Sequence, residues 1–166
     1  MKKGERDSSI LNVKKLGMDV ELPGYVYDTD VGLDIRANED VTIAPFEQKT
    51  IKTGIAIEIP KGCVGLVRDR VGILTKMNVH TSAGTFDPFY RGEVSIVLTN
   101  FGEDDVSIEK GMRIAQLIIL PVIKVKVKEV KKLNETSRNE KSFGSTGVKD
   151  VIHELEQLEK MIHKKK

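Results

Sequence analysis

Ile51-Lys52-Thr53-Gly54-Ile55-Ala56-Ile57-Glu58-Ile59-Pro60 puts isoleucine or threonine at every odd position and Lys, Gly, Ala or Glu between them. Side chains that change face with a period of two belong to a strand with one buried face. The run stops at the turn Pro60-Lys61-Gly62. The same period holds from Ile10 to Val130, with further strands predicted at Val31–Arg36, Val41–Ala44, Val64–Val67, Glu93–Thr99 and Arg113–Leu120. Ile123, Val125 and Val127 alternate with Lys124, Lys126 and Lys128 and predict one more. Turn signals such as Ala44-Pro45-Phe46, Asn100–Asp105 and Glu109-Lys110-Gly111 separate the runs. Many short strands with regular turns predict an all-β sandwich, barrel or jelly roll, with one short helix near Gly72–Asn78.

The pattern changes after Lys132. Leu133–Gly147 is polar and rich in Asn, Ser, Thr, Glu and Gly, the composition of a flexible arm. Val148–His163 then returns to helical spacing, with Val151, Ile152, Leu155, Leu158, Met161 and Ile162 on one stripe. The expected organisation is a β domain over residues 1–132, an arm over 133–147 and a helical basic tail over 148–166. The tail is expected to dock on its own body or on a neighbouring copy.

The chain of 166 residues carries 39% hydrophobic and 31% charged residues, the balance of a soluble single domain. Its net charge of +2 falls to −1 without Lys164, Lys165 and Lys166, so the body is close to neutral and has no nucleic-acid signature. Cys63 is the sole cysteine, which excludes an internal disulfide and a cysteine-built zinc site; its apolar setting reads as structural. No apolar stretch reaches the ~20 residues of a membrane span, and the N-terminus lacks a signal-peptide core. A reducing cytoplasmic setting is expected, with no nucleic-acid or membrane partner.

Five constellations carry chemistry. Ala83-Gly84-Thr85-Phe86-Asp87-Pro88-Phe89-Tyr90-Arg91-Gly92 holds one carboxylate and several aromatics in a glycine-bounded turn. A turn aspartate often only caps its own backbone, but glycines let backbone groups approach a ligand and Tyr90 offers a flat face. Arg68-Asp69-Arg70-Val71-Gly72-Ile73 lies at a strand-to-helix junction, where free N–H groups beside a guanidinium suit a phosphate; a surface arginine capping a turn is the other reading. In Val31-Gly32-Leu33-Asp34-Ile35 a carboxylate stands among apolar neighbours and needs an arginine, backbone donors or a hydrated metal. Gln116 interrupts the apolar strand Gly111-Met112-Arg113-Ile114-Ala115-Gln116-Leu117, and either a phosphate oxygen or a backbone group would satisfy it. Finally, Arg138 precedes the loop Phe143-Gly144-Ser145-Thr146-Gly147, which on its own reads as a linker.

These five segments, in this order between Val31 and Gly147, resemble the motifs of the trimeric dUTP pyrophosphatase (dUTPase) family. The resemblance implies a jelly-roll-like, β-clip subunit in a homotrimer with active sites shared between subunits. It implies hydrolysis of dUTP to dUMP and pyrophosphate with Mg2+. Asp87 would orient and deprotonate the attacking water. Gly84, Thr85, Phe86 and the backbone around Asp87 would read uracil, with Tyr90 packed on the deoxyribose. Arg70, Val71, Gly72 and Gln116 would bind phosphates, and Asp34 would approach Mg2+ through water. Arg138 would reach the γ-phosphate, Phe143 would stack on the base, and Gly144, Ser145 and Thr146 would complete a lid. Three departures stand out: Val71 where the family has a Ser, Asp69 where it commonly has Pro, and Met112 where it commonly has Asp. Related dCTP deaminases carry a Glu in the strand after the turn, where this chain has Val97, so deamination is disfavoured. A weak relative acting as a regulatory nucleotide-binding protein is the alternative of a different class.

Overall fold

A computed structural model of the chain describes residues 10–136 and 139. The elements run β1 (Asn12–Lys15), β2 (Leu33–Arg36), β3 (Val41–Ile43), β4 (Gln48–Glu58), β5 (Cys63–Arg68), α1 (Val71–Met77), β6 (Val79–Ala83), β7 (Thr85–Phe86), β8 (Glu93–Asn100), β9 (Val106–Ile108) and β10 (Arg113–Pro121). They form one sheet in the order β1-β4-β8-β6, a second in the order β2-β10-β5-β7, and a β3-β9 ribbon. Every pairing is antiparallel. The all-β, jelly-roll-like expectation is met, and the helix falls within one residue of its expected bounds.

The alternation of the opening stretch is what closes the core. Ile51, Ile55, Ile57 and Ile59 are buried, and they meet Val94, Ile96 and Leu98 of β8 and Ile114, Ala115 and Leu117 of β10. No aromatic ring is fully buried among the described residues; the interior is aliphatic. Strand β4 departs from simple alternation at Gly54, whose φ of +70° sits at a register shift between Lys52 and Ala56 against β8. Beyond this bulge, which bends and twists the strand, β4 pairs with β1 on its other edge. Residues 53–57 are therefore buried on both sides.

One buried polar side chain ties three segments together. Asn100, at the end of β8, is fully buried. Its Nδ2 donates to the carbonyls of Ile43, Ala44 and Asp104 at 3.0, 3.2 and 2.8 Å. Its Oδ1 accepts from the Gly102 N–H at 2.8 Å.

The strand expected from Ile123, Val125 and Val127 is not formed. Pro121 ends β10 and has no N–H with which to extend a ladder. Beyond it Ile123 and Val127 are 91% and 96% exposed, so the alternation has no apolar surface to face among the described residues. The chain divides into compact units Met1–Lys124 and Val125–Lys166; among the described residues every strand and the helix lie in the first. In the second, Lys132 pairs with Glu135 at 2.7 Å. The tail helix expected over 148–166 lies outside the described residues, as does all of the arm except residues 133–136 and 139.

Asn100→Ala would remove the donor to the Ile43 and Asp104 carbonyls and the acceptor of the Gly102 N–H, while the Ala44 carbonyl keeps the Glu47 N–H. It is expected to destabilise the fold by about 3 kcal/mol, read as a shift in the urea midpoint. A loss within about 0.5 kcal/mol would show that water replaces the side chain.

Candidate active site

Strand β10 sets the first half of the site. Its Gln116 faces Asp34 of β2 on one side and Arg68 of β5 on the other, so three segments singled out in the sequence converge by strand register alone. Asp34 is 12% exposed at its side chain and pairs with two arginines: Arg70 Nε donates to Oδ1 at 2.7 Å, and Arg113 Nη1 lies 3.3 Å from Oδ2. The carboxylate thus finds its partners in arginines, the first of the three readings open from sequence. Among the described residues Arg70 bonds the protein through Nε alone, which leaves its terminal Nη pair available to an anion. The Gln116 Nε2 donates to the Asp69 carbonyl at 2.9 Å; a backbone group satisfies it.

These residues line a cavity of about 670 Å³, together with Val71, Gly72, Gly32 and the loop from Val26 to Val31. That loop is held by Asp30, whose Oδ2 accepts from the Val26 and Tyr27 N–H groups at 3.2 and 2.9 Å. Two glycines here do opposite things. A Cβ on Gly32 would lie 2.4 Å from Gln116 Oε1, so glycine is what lets Gln116 take its place. A Cβ on Gly72 would meet nothing within 4 Å, so Gly72 presents bare backbone to open space, where a ligand can approach closely. Arg70 caps α1 in an extended conformation with no side-chain cap bond. Val71, at the first helical position, is 73% exposed and contributes no hydroxyl.

Sequence reading passed over two residues that structure the corner. Arg113 is one; only the family-like spacing of its strand hinted at it. The other is Asp69. Its Oδ1 accepts from both the N–H and the hydroxyl of Thr81 at 2.7 Å, and its Oδ2 lies 2.6 Å from His80 Nδ1. Burial pushes the Asp69 carboxyl up, but the Thr81 donors and the His80 ring outweigh it and hold it below the ordinary carboxylate value.

The other segment that the sequence singles out is the turn after β7. Asp87 is exposed and its carboxylate makes no bond among the described residues, while the Tyr90 N–H donates to the Asp87 carbonyl at 3.1 Å. Phe86 and Tyr90 stack obliquely with centroids 5.9 Å apart, and the Tyr90 hydroxyl donates to the Glu93 carbonyl at 3.0 Å. Arg91 braces the turn through the Pro88 carbonyl at 2.6 Å and Glu58 at 2.8 Å. Gly84 serves packing inside the chain: its carbonyl accepts from the Val67 N–H at 2.7 Å, and a Cβ there would lie 2.7 Å from Val67 Cβ.

The structure brings Asp34, Arg70, Val71, Gly72 and Gln116 to one cavity; Gly84, Thr85, Phe86, Asp87 and Tyr90 are not among its lining residues. Arg138, Phe143, Gly144 and Ser145 lie outside the described residues. Among the described residues no group of three or more His, Cys, Asp or Glu could hold a metal by itself. Both oxygens of Asp34 face arginines, so these residues suit a Mg2+ bound through a ligand's own oxygens better than one held by the protein.

A carboxyl group whose pKa is lower folded than unfolded stabilises the fold above the unfolded value, and the benefit is lost as pH falls through the folded one. The unaltered chain is therefore expected to lose more stability than Asp69→Asn between about pH 5 and pH 2, read as urea midpoints at each pH. Parallel curves would show that the Asp69 carboxylate carries no such linkage.

Comparison with known proteins agrees with this arrangement. The dUTPase family model matches residues 18–147. The deoxyuridine 5'-triphosphate nucleotidohydrolase of Hydrogenobaculum sp. (strain Y04AAS1) is 47% identical over 142 residues, covering 84% of this chain and 99% of that one. The protein of the same name from Clostridium tetani is 44% identical over 139 residues, 82% of this chain and 96% of that one. Among solved structures, the dUTPase of Staphylococcus bacteriophage 80alpha with dUPNHPP superposes with a TM-score of 0.80 at 32% identity, covering 85% of this chain and 100% of that one. A variant dUTPase from phage phi11 of S. aureus, in which a structural Mg(II) ion is coordinated, superposes at 0.72 with 27% identity over 76% of this chain and 100% of that one. On a domain match that spans both halves of the site and relatives covered almost end to end, this chain belongs to the dUTPase family.

Proposed function

We propose that this protein is a dUTP diphosphatase, converting dUTP and water to dUMP and pyrophosphate. The observation that carries the proposal is the convergence of the open Nη end of Arg70, the bare backbone of Gly72 and Gln116 in one cavity beside Asp34. It is a place built to take a chain of phosphates. Asp87 takes a proton from water as the water oxygen bonds to the α-phosphorus. The bond from that phosphorus to its bridging oxygen breaks, and pyrophosphate leaves. Arg70, Val71 N–H, Gly72 N–H and Gln116 bind the phosphates and offset charge as it builds on the leaving group. Mg2+ held mainly by the substrate's phosphates, with Asp34 as the carboxylate that would help to hold it through water, would supply neutralisation of the triphosphate. Gly84, Thr85 and Phe86 present backbone edges to uracil, and Tyr90 packs on the deoxyribose.

The working form is a homotrimer. Its support is the separation of the Asp87 turn from the phosphate cavity within one chain, which a neighbouring subunit would resolve by supplying the missing half. Beside a β domain of 1–132, we assign residues 133–147, with Arg138, Phe143, Gly144 and Ser145, as the closing arm and 148–166 as the basic tail. Among the described residues no helix is long and apolar enough to cross a membrane; with the single cysteine, Cys63, this supports a cytoplasmic enzyme supplying dUMP and removing dUTP. The near-neutral body supports the absence of a nucleic-acid partner.

The deciding measurement is pyrophosphate release from dUTP, dCTP, dTTP and UTP with Mg2+. Turnover confined to dUTP is expected, with Asp87→Asn slowing it by about 100- to 10,000-fold. Tight dUTP binding without release would instead support the regulatory alternative that the exposed Val71 keeps open. Val71→Ser is expected to raise kcat/KM about five-fold, the worth of one hydrogen bond. An unchanged rate would mean that the backbone N–H at this position suffices.

A further inference from the structure

The carboxylate of Asp69 has no part in the reaction above, yet among the described residues this half-buried acid takes the most bonds. It takes two hydrogen bonds from Thr81 and one contact from His80. A turn aspartate that caps its own loop bonds backbone two residues on; Asp69 reaches twelve residues along the chain, to β6. Its own carbonyl meanwhile holds Gln116, and the next residue is Arg70, which grips Asp34. The junction between β5 and α1 has no side-chain cap to stiffen it. What restrains it laterally is the bond from Asp69 to β6, the strand that leads through Gly84 and β7 into the Asp87 turn.

We infer that Asp69 is a positioning residue that locks the Arg70–Gln116 corner to β6 and so holds the phosphate-binding groups in the geometry the transition state needs. The inference rests on the chain's hydrolysing dUTP. The groove beside this lock, about 240 Å³, is lined by residues 66–69 and 80–85. Arg68 and His80 are the charged or titratable groups that share it with Asp69, and the Phe101 ring lies 6.2 Å from His80. Asp69 has no place in the lining of the phosphate cavity, so it acts through its neighbours. Misplacing a binding group by about 1 Å can cost up to about 100-fold in rate, which is the lever such a lock controls.

The test is a double-mutant cycle on Asp69→Ala and Gln116→Ala, read as kcat/KM for dUTP, with thermal unfolding followed in parallel. Asp69→Ala is expected to lower kcat/KM about ten-fold. The double variant should fall short of the product of the two single losses by at least about five-fold, the signature of residues acting through one another. Asp69→Asn keeps an oxygen acceptor for Thr81 and should stay within about three-fold of the unaltered chain, a rescue that one lost hydrogen bond allows. Losses that simply multiply, or an Asp69→Ala enzyme within about two-fold of the unaltered chain, would overturn the inference and leave Asp69 a contributor to stability alone. Should Asp69→Ala fail to fold, Thr81→Val enters the same cycle and is read by the same criteria. Failure of the unaltered chain to release pyrophosphate would overturn the dUTP reaction instead, and the cycle read as dUTP affinity would still decide the coupling.

Discussion

Strand β10 sets two polar side chains, Arg113 and Gln116, at half-buried positions beside the fully buried Ile114, Ala115 and Leu117. Taking them even partly out of water costs free energy unless they are bonded. Arg113 finds Asp34 and Gln116 finds the Asp69 carbonyl. Those two bonds draw β2 and the end of β5 toward the same point, and Arg70 closes the circuit on Asp34. Among the described residues no buried side-chain nitrogen or oxygen is left without a partner. The corner is thus held together by bonds between the protein's own polar groups at the edge of an aliphatic interior.

The aliphatic character of that interior has a second effect. Branched side chains from β4, β8 and β10 fill the space between the sheets, and the aromatic residues are left to the surface and its edges. Phe86 packs partly on the core while Tyr90 leans over it at the turn. A ring fixed on one side and open on the other can meet a base or a sugar without first paying to be ordered.

Much of this was legible in the chain. Period-two runs gave β4, β8 and β10 their place because long alternation has one interpretation, and the short helix followed from the loss of that period. The strands β6, β7 and β9 were harder: Val79–Ala83 is mostly polar, and Thr85–Phe86 and Val106–Ile108 are too short for a period to register. Ile123–Lys128 failed in the other direction, since alternation states that a face is apolar and says nothing about whether a surface is there to meet it. At the site, Asp34, Arg70, Gly72 and Gln116 were identifiable because their residue types are costly or unusual where they stand. Asp69 was not, because its role depends on Thr81 and His80 arriving from another strand. Gly84 was noticed for close backbone approach, and within the chain that approach is to Val67.

The glycine beneath Gln116 constrains how this molecule can vary. With Gln116 Oε1 occupying the space a Cβ at position 32 would need, the two sites form a single steric unit. A side chain at 32 would push the Gln116 amide aside and with it the bond to the carbonyl of Asp69. The limit runs one way, since a shorter residue at 116 meets no obstacle from Gly32 and gives up only the amide's own bond. Position 72, with only open space around it, is under no such steric limit among the described residues.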